Sequence, residues 1–233
     1  MPADVTPRVI RTSAFASEAA GFILDEIRLA VAARGLCRLA LSGGQTPRRV
    51  FAEMVRQSGV PWNRVQITFS DERCVPPEDA DSNFRMARES LLEAVDIPSG
   101  NVFRMRGEID PEIAAREYEA MLAAVAARFG EPRYLHDLVL LGMGPDGHTA
   151  SLFPGSPALA ETQRNVIPAT GPKPPPQRLT MTLPLLNAAR HVAFLVTGAD
   201  KQPLVEEITA GRTTLPAAQV RPVDGALTWI VGE

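Results

Sequence analysis

Asp137-Leu138-Val139-Leu140-Leu141-Gly142-Met143-Gly144-Pro145-Asp146-Gly147-His148-Thr149-Ala150-Ser151 is the stretch that decides how this chain is read. Leucine and valine from 138 to 141 make an apolar run of the length and composition of a strand buried in a parallel sheet. The run stops in three glycines set around one acid and one histidine, so the backbone beyond it must bend sharply. Histidine is the side chain most easily poised to move a proton near neutral pH. Asp146, two residues before His148, is placed to orient the ring and hold its tautomer. A glycine-rich turn with an incidental surface histidine has the same composition, and the rest of the chain decides between the two.

Outward from that loop, strand-like and helix-like segments alternate. This pattern implies an α/β fold: an open, doubly wound, mostly parallel sheet with helices on both faces. Ser13 to Ala33 carries apolar residues at helical spacing and stops at Gly35. Cys37–Leu41 and Val65–Phe69 read as strands. Between them Thr46-Pro47 reads as an N-cap followed by proline at the first helical position. Ser82 to Val95 is expected to be a helix, Asn101-Val102-Phe103 a short strand, and Asp110-Pro111 the opening of a long helix ending at Gly130. After the loop, Asn165–Pro168 and Arg178–Thr182 read as short strands. The stiff segment Gly171-Pro172-Lys173-Pro174-Pro175-Pro176 cannot join a ladder and reads as a loop between them. His191–Val196 is a strand, Lys201–Ala210 a helix and Leu227–Val231 a last strand. With no repeat and no linker, residues 1–233 are expected to form a single domain.

The 233 residues are 45% hydrophobic and 22% charged, with a formal net charge of −3. That balance is ordinary for a globular α/β protein and argues against a general nucleic-acid binder, which would be basic. No run approaches the roughly 18 apolar residues of a membrane span, and the first residues hold no apolar leader core. The chain is therefore expected to be cytoplasmic. Cys37 and Cys74 form no CxxC pair, and three histidines without an H-E-x-x-H signature make no strong zinc set, so neither metal nor disulfide is expected.

Leu41-Ser42-Gly43-Gly44-Gln45-Thr46-Pro47 reads as strand, glycine pair and helix start. Free backbone N–H groups at such a junction favour anions, and glycine lets a phosphate approach the backbone. A plain turn would look the same; the segment is neither a Walker A loop nor a G-x-G-x-x-G fingerprint. Ser70-Asp71-Glu72-Arg73 ends the second strand, where open parallel sheets hold their ligand crevice. Arg73 would suit a carboxylate, a phosphate or a developing oxyanion. Arg178 and Lys201 lie at element ends, and by pattern alone read as solvated; His136 and His191, without acidic or glycine-rich neighbours, read as structural or solvated.

Taken together, Ser42–Pro47, Ser70–Arg73, Asp81-Ser82-Asn83, Gly142–Pro154, Arg178–Thr182 and Gly198-Ala199-Asp200-Lys201 stand in an order that resembles the 6-phosphogluconolactonase family, over nearly the whole chain. That family is similar in fold to glucosamine-6-phosphate deaminase. The deaminases continue from the histidine toward Asn-Glu-Pro, whereas Ser151-Leu152-Phe153-Pro154 stands here; Arg73 stands where they tend to carry an aromatic residue. The resemblance implies hydrolysis of 6-phospho-D-glucono-1,5-lactone to 6-phospho-D-gluconate, without cofactor or metal. It implies His148 as general base, oriented by Asp146 or by a loop carbonyl, and Arg73 stabilising charge near the lactone. Ser42, Gly43, Gly44 and Thr46 would hold the phosphate, with Arg178 and Lys201 as its cationic clamp. Asp71, Glu72, Gly144 and Ser151 would line the site; Ser151 is not a nucleophile, since no G-x-S-x-G elbow surrounds it. The expected partner is a small sugar-phosphate lactone, with no nucleic acid or membrane. An amino-sugar-phosphate isomerase or deaminase, and a non-catalytic sensor of the same fold, are the rival expectations.

Overall fold

The computed structural model describes residues 6–232; the reading of Met1–Val5 lies outside them. Six strands form the main sheet: β1 (Arg8–Thr12), β2 (Cys37–Leu41), β3 (Val65–Phe69), β5 (Leu138–Leu141), β8 (His191–Val196) and β9 (Ala226–Gly232). Their spatial order is β1-β9-β8-β5-β2-β3, and every pair is parallel. Three further strands, β4 (Asp71–Arg73), β6 (Val166–Thr170) and β7 (Gln177–Met181), form a small antiparallel sheet in the order β4-β7-β6.

Successive residues of a strand face opposite sides, so a strand covered on both sides must be apolar throughout. In β5, Leu138 and Leu140 enter one core while Val139 and Leu141 enter the other. β8 repeats the division, with Ala193 and Leu195 on the first side and Val192, Phe194 and Val196 on the second. The first core is roofed by α1 (Phe15–Arg34) and α2 (Gln45–Val55) through residues such as Ile23, Ile27, Phe51 and Met54. The second is roofed by α4 (Pro111–Arg128), α5 (Leu183–Asn187), α6 (Gln202–Thr209), α7 (Pro216–Gln219) and the small sheet. The doubly wound, mostly parallel α/β architecture is thus the one expected.

Several local expectations are corrected. The N-cap of α2 is Gly44 and not Thr46, which sits in the first turn with its hydroxyl 2.8 Å from that of Thr197. As the second residue of the helix, Thr46 lies past the cap position. The 82–95 helix is shorter and irregular: Ser82 caps α3 (Asn83–Ala87), which passes into a π-helical turn over Arg88–Leu92. Asn101–Phe103 is no strand; Ser99–Asn101 forms a 3₁₀ turn, and Val102 makes a single bridge to Ile67. Ser70–Arg73 does more than end β3, since Asp71–Arg73 turns away to pair with β7. Lys201 belongs to a 3₁₀ turn (Ala199–Lys201) just before α6.

Strand order sets the location of the ligand crevice. From β2 the chain steps outward to β3, then returns to the other side of β2 at β5 and proceeds to β8 and β9. The two directions of travel part between β2 and β5, and loops leaving the carboxyl ends of strands at such a switch point diverge to leave a cleft. The loops leaving these two strands are Ser42-Gly43-Gly44 and Gly142–Ser151.

Candidate active site

A cleft of about 330 Å³ opens at that point, walled by Ser42–Pro47 on one side and by Gly142, Met143, Gly144, His148 and Ala150 on the other. Asp71, Arg73, Asn83 and Lys201 complete its rim.

Close packing explains the glycines of the first wall. A Cβ on Gly43 would stand 1.8 Å from Oδ1 of Asn83, and Gly44 holds a φ of 107°, a conformation nearly closed to other residues. Gly44 caps α2 without a side chain, and no acidic residue occupies the first turn. The N–H groups that open the helix therefore have no carboxylate of their own, and the positive end of its dipole faces the cleft. Ser42 Oγ is buried there without a hydrogen-bond partner.

On the opposite wall, Asp146 Oδ1 lies 2.5 Å from His148 Nδ1 and also accepts the backbone N–H of His148 at 3.2 Å. Of the orienting groups expected, a loop carbonyl or Asp146, it is the carboxylate that meets the ring. Burial acts to raise the Asp146 carboxyl, but its bonds from the His148 ring and backbone outweigh burial and hold it below the ordinary carboxylate value. The loop is closed by Gly144 N–H donating to His148 O at 2.9 Å and by Thr149 Oγ donating to Gly142 O at 2.8 Å. Gly144 must lack a side chain, since a Cβ would lie 2.1 Å from the imidazole ring.

The charged strand end divides into three tasks. Asp71 reaches the cleft while accepting Ser151 Oγ at 2.7 Å and Asn83 Nδ2 at 3.3 Å. Glu72 does not reach it: its carboxylate accepts the backbone N–H groups of Asn83 and Phe84 and the Ser82 hydroxyl at the start of α3. Burial pushes the Glu72 carboxyl up against the downward pull of those N–H bonds. Arg73 stands on the rim, donating Nη1 to Asp81 O at 2.7 Å, with its Nε unpartnered.

Ser151 lies behind the wall, its hydroxyl spent on Asp71 and its N–H on Thr180. Lys201 reaches the cleft, whereas Arg178 does not form its wall. Arg178 is 7% exposed and sits directly across the β4–β7 ladder from Arg73, the two cations in register. Burial first, and then Arg73, lower its pKa, and Nη1 is left without a partner. Like charges set opposite each other are unfavourable, and unmade buried hydrogen bonds cost about 1–3 kcal/mol each. An anion bridging the pair would offset both. Asn83 is not among the site residues that the sequence points to, although Asp81-Ser82-Asn83 is one of the ordered motifs; its contact with Gly43 is visible only in three dimensions. Among the described residues, no group of three or more His, Cys, Asp and Glu side chains is placed to share a metal ion.

An open α/β sheet with a glycine-capped helix start and an Asp-oriented histidine across one cleft is an arrangement that can hold a small anion and move a proton on it. Comparison with known proteins gives the particular lineage. The family model described as glucosamine-6-phosphate isomerases/6-phosphogluconolactonase matches residues 11–229. A 6-phosphogluconolactonase of Synechocystis is 41% identical over 215 residues, covering 91% of this chain and 88% of its own. That of Rattus norvegicus is 40% identical over 206 residues, covering 86% and 79%. The crystal structure of 6-phosphogluconolactonase from Thermotoga maritima superposes with a TM-score of 0.85 at 30% identity, over 97% of this chain and 100% of the other. The chain belongs to the glucosamine-6-phosphate isomerase/6-phosphogluconolactonase family.

Proposed function

We propose that this protein hydrolyses 6-phospho-D-glucono-1,5-lactone to 6-phospho-D-gluconate, the lactone step of the oxidative pentose phosphate pathway. The observation that carries this reading is the Asp146–His148 pair facing the open start of α2 across one cleft. With Nδ1–H donating to Asp146, Nε2 of His148 takes a proton from water as its oxygen adds to the lactone carbonyl. The C1–ring oxygen bond then breaks, and the imidazolium returns the proton to the departing ring oxygen. Arg73 stabilises the carbonyl oxygen as charge develops on it. No covalent intermediate is needed, and Ser151 is engaged elsewhere.

The phosphate is held by the first N–H groups of α2, Ser42 and Lys201, with Arg178 adding charge from behind Arg73. Asp71 and Asn83 keep the Gly43 turn in place. Residues from β2 to the start of α6 meet in one cleft, which supports reading residues 1–233 as one domain. No described helix is long and apolar enough to cross a membrane.

His148→Ala tests the assignment. Loss of an acid–base group lowers kcat by about 10²–10⁴-fold while 6-phosphogluconate still binds. Near-parent turnover by the folded variant would remove His148 from its role. Release of ammonia from glucosamine 6-phosphate would point instead to the isomerase branch of the family.

A further inference from the structure

The Asp146 bond anchors one edge of the His148 ring but leaves rotation of that ring out of the carboxylate's reach to be prevented by something else. The ring of Phe153 lies against the imidazole, with centroids 4.6 Å apart and planes inclined at 38°. Behind Phe153 stands Gly171, the first residue of the loop joining β6 to β7, where a Cβ would meet Phe153 Cζ at 3.2 Å. The same Cβ would meet Arg178 Nε at 3.3 Å. The loop is stiff, rich in proline, and closed by Gly171 N–H donating to Pro176 O at 2.7 Å. Beyond the ring lies a second, larger cavity of about 660 Å³, bordered by Asp146, Phe153, Gly171 and Pro172. Phe153 thus has the imidazole on one side, and on the other the Gly171 backbone of a proline-rich loop beside an open cavity.

We infer that Phe153, held by Gly171, is a positioning residue that keeps the His148 imidazole against Asp146. The inference rests on the reading of His148 as the base. Phe153 does not line the cleft; it acts through the ring it supports. Side chains settle into staggered wells separated by large swings. An imidazole without its backstop spends time with Nε2 turned out of the cleft, and misplacement by about 1 Å can cost about 10²-fold in rate. Gly171 is shared with Arg178, so the loop sets the base and the buried cation from one point.

The test is Phe153→Leu, alone and combined with Asp146→Asn, in a coupled assay on freshly generated lactone. Phe153 is half-buried, and leucine keeps an apolar side chain while removing the flat face. The expected result is a fall in kcat of about 10-fold, with KM and the Kd of 6-phosphogluconate each within about twofold. Asp146→Asn is expected to cost several-fold less in the Phe153→Leu background than in the parent, because the bond it removes has already been loosened. Gly171→Ala, which crowds the ring from behind instead of removing it, is the second variant and is also expected to lower kcat. Parent-like kcat in both single variants overturns the inference, as does full additivity of Phe153→Leu with Asp146→Asn. Undiminished turnover in His148→Ala would instead overturn the base assignment, so the two failures are told apart.

Discussion

Gly144→Ala is the sharpest single test of the cleft's geometry. Gly144 does not occupy the left-handed region, so alanine is admissible to its backbone and the perturbation is confined to one methyl group. That methyl would lie 2.1 Å from Nδ1 and Cε1 of His148 and 2.7 Å from Asp146 Oδ1. Ordinary contact begins near 3.4 Å, so the imidazole must retreat by about 1 Å or more. It has somewhere to go, because the side chain is 30% exposed and the cleft in front of it is open. The fold therefore absorbs the methyl, and the cost falls on the ring's aim. Misplacement on this scale is worth about 10²-fold, or about 2.7 kcal/mol in the barrier. The assay is initial-rate hydrolysis of freshly generated lactone, corrected for spontaneous opening, with thermal unfolding measured in parallel. The expected outcome is kcat down about 10²-fold, unfolding temperature little changed, and 6-phosphogluconate bound as before. A kcat within about threefold of the parent would refute the claim that ring placement limits turnover.

Three further outcomes follow from the same structure. Arg178→Ala and Lys201→Ala are each expected to raise KM several-fold, with a smaller loss of kcat, because charge-assisted bonds to phosphate are strong; unaltered KM in both would return them to the role of ordinary surface and buried cations. Exhaustive chelation is expected to leave turnover intact and rapid quenching to trap no acyl-enzyme, because a 1,5-lactone is an activated ester for which a base and placed donors suffice; activity lost to EDTA and restored by one divalent ion would overturn this. Glu108 is held at about 2, well below its ordinary 4.5, first by its paired hydrogen bonds from Arg104. Its contribution is present above pH 4.5 and is lost as pH falls toward 2, so Glu108→Gln should flatten the acid limb of urea-unfolding stability by less than about 1 kcal/mol; an unchanged limb would assign the ion pair no role.

The parts read correctly from sequence are those whose signal is local. The apolar runs of β2, β5 and β8 announce burial on both faces, and Asp110-Pro111 announces the start of α4 by its cap. What the sequence does not reveal depends on partners distant in the chain. β1 has only two apolar residues among five, as suits an edge strand, and nothing in Arg8–Thr12 reveals that its partner is β9. β4 is three charged residues, a strand only because β7 comes to lie beside it. Thr46-Pro47 has the composition of a cap, yet the helix begins two residues earlier at Gly44, whose positive φ no other residue would readily adopt. The site divides likewise: Asp146 and His148 are two residues apart and could be paired on paper. Arg178 was read as solvated from its own surroundings, and its burial opposite Arg73 is a product of the ladder.

The pairing of β1 with β9 couples residues 8–12 to residues 228–232. Of the strands described, β1 therefore waits longest, because the strand it pairs with, β9, is the last of them to be made. Until then β1 has no partner strand, and the outer side of β8 lacks the seven residues that will cover it. Contacts of such long sequence separation form slowly, and uncovered strand edges invite association with other chains. Loss of β9 should accordingly uncouple β1 as well and strip two strands from the same edge of the sheet.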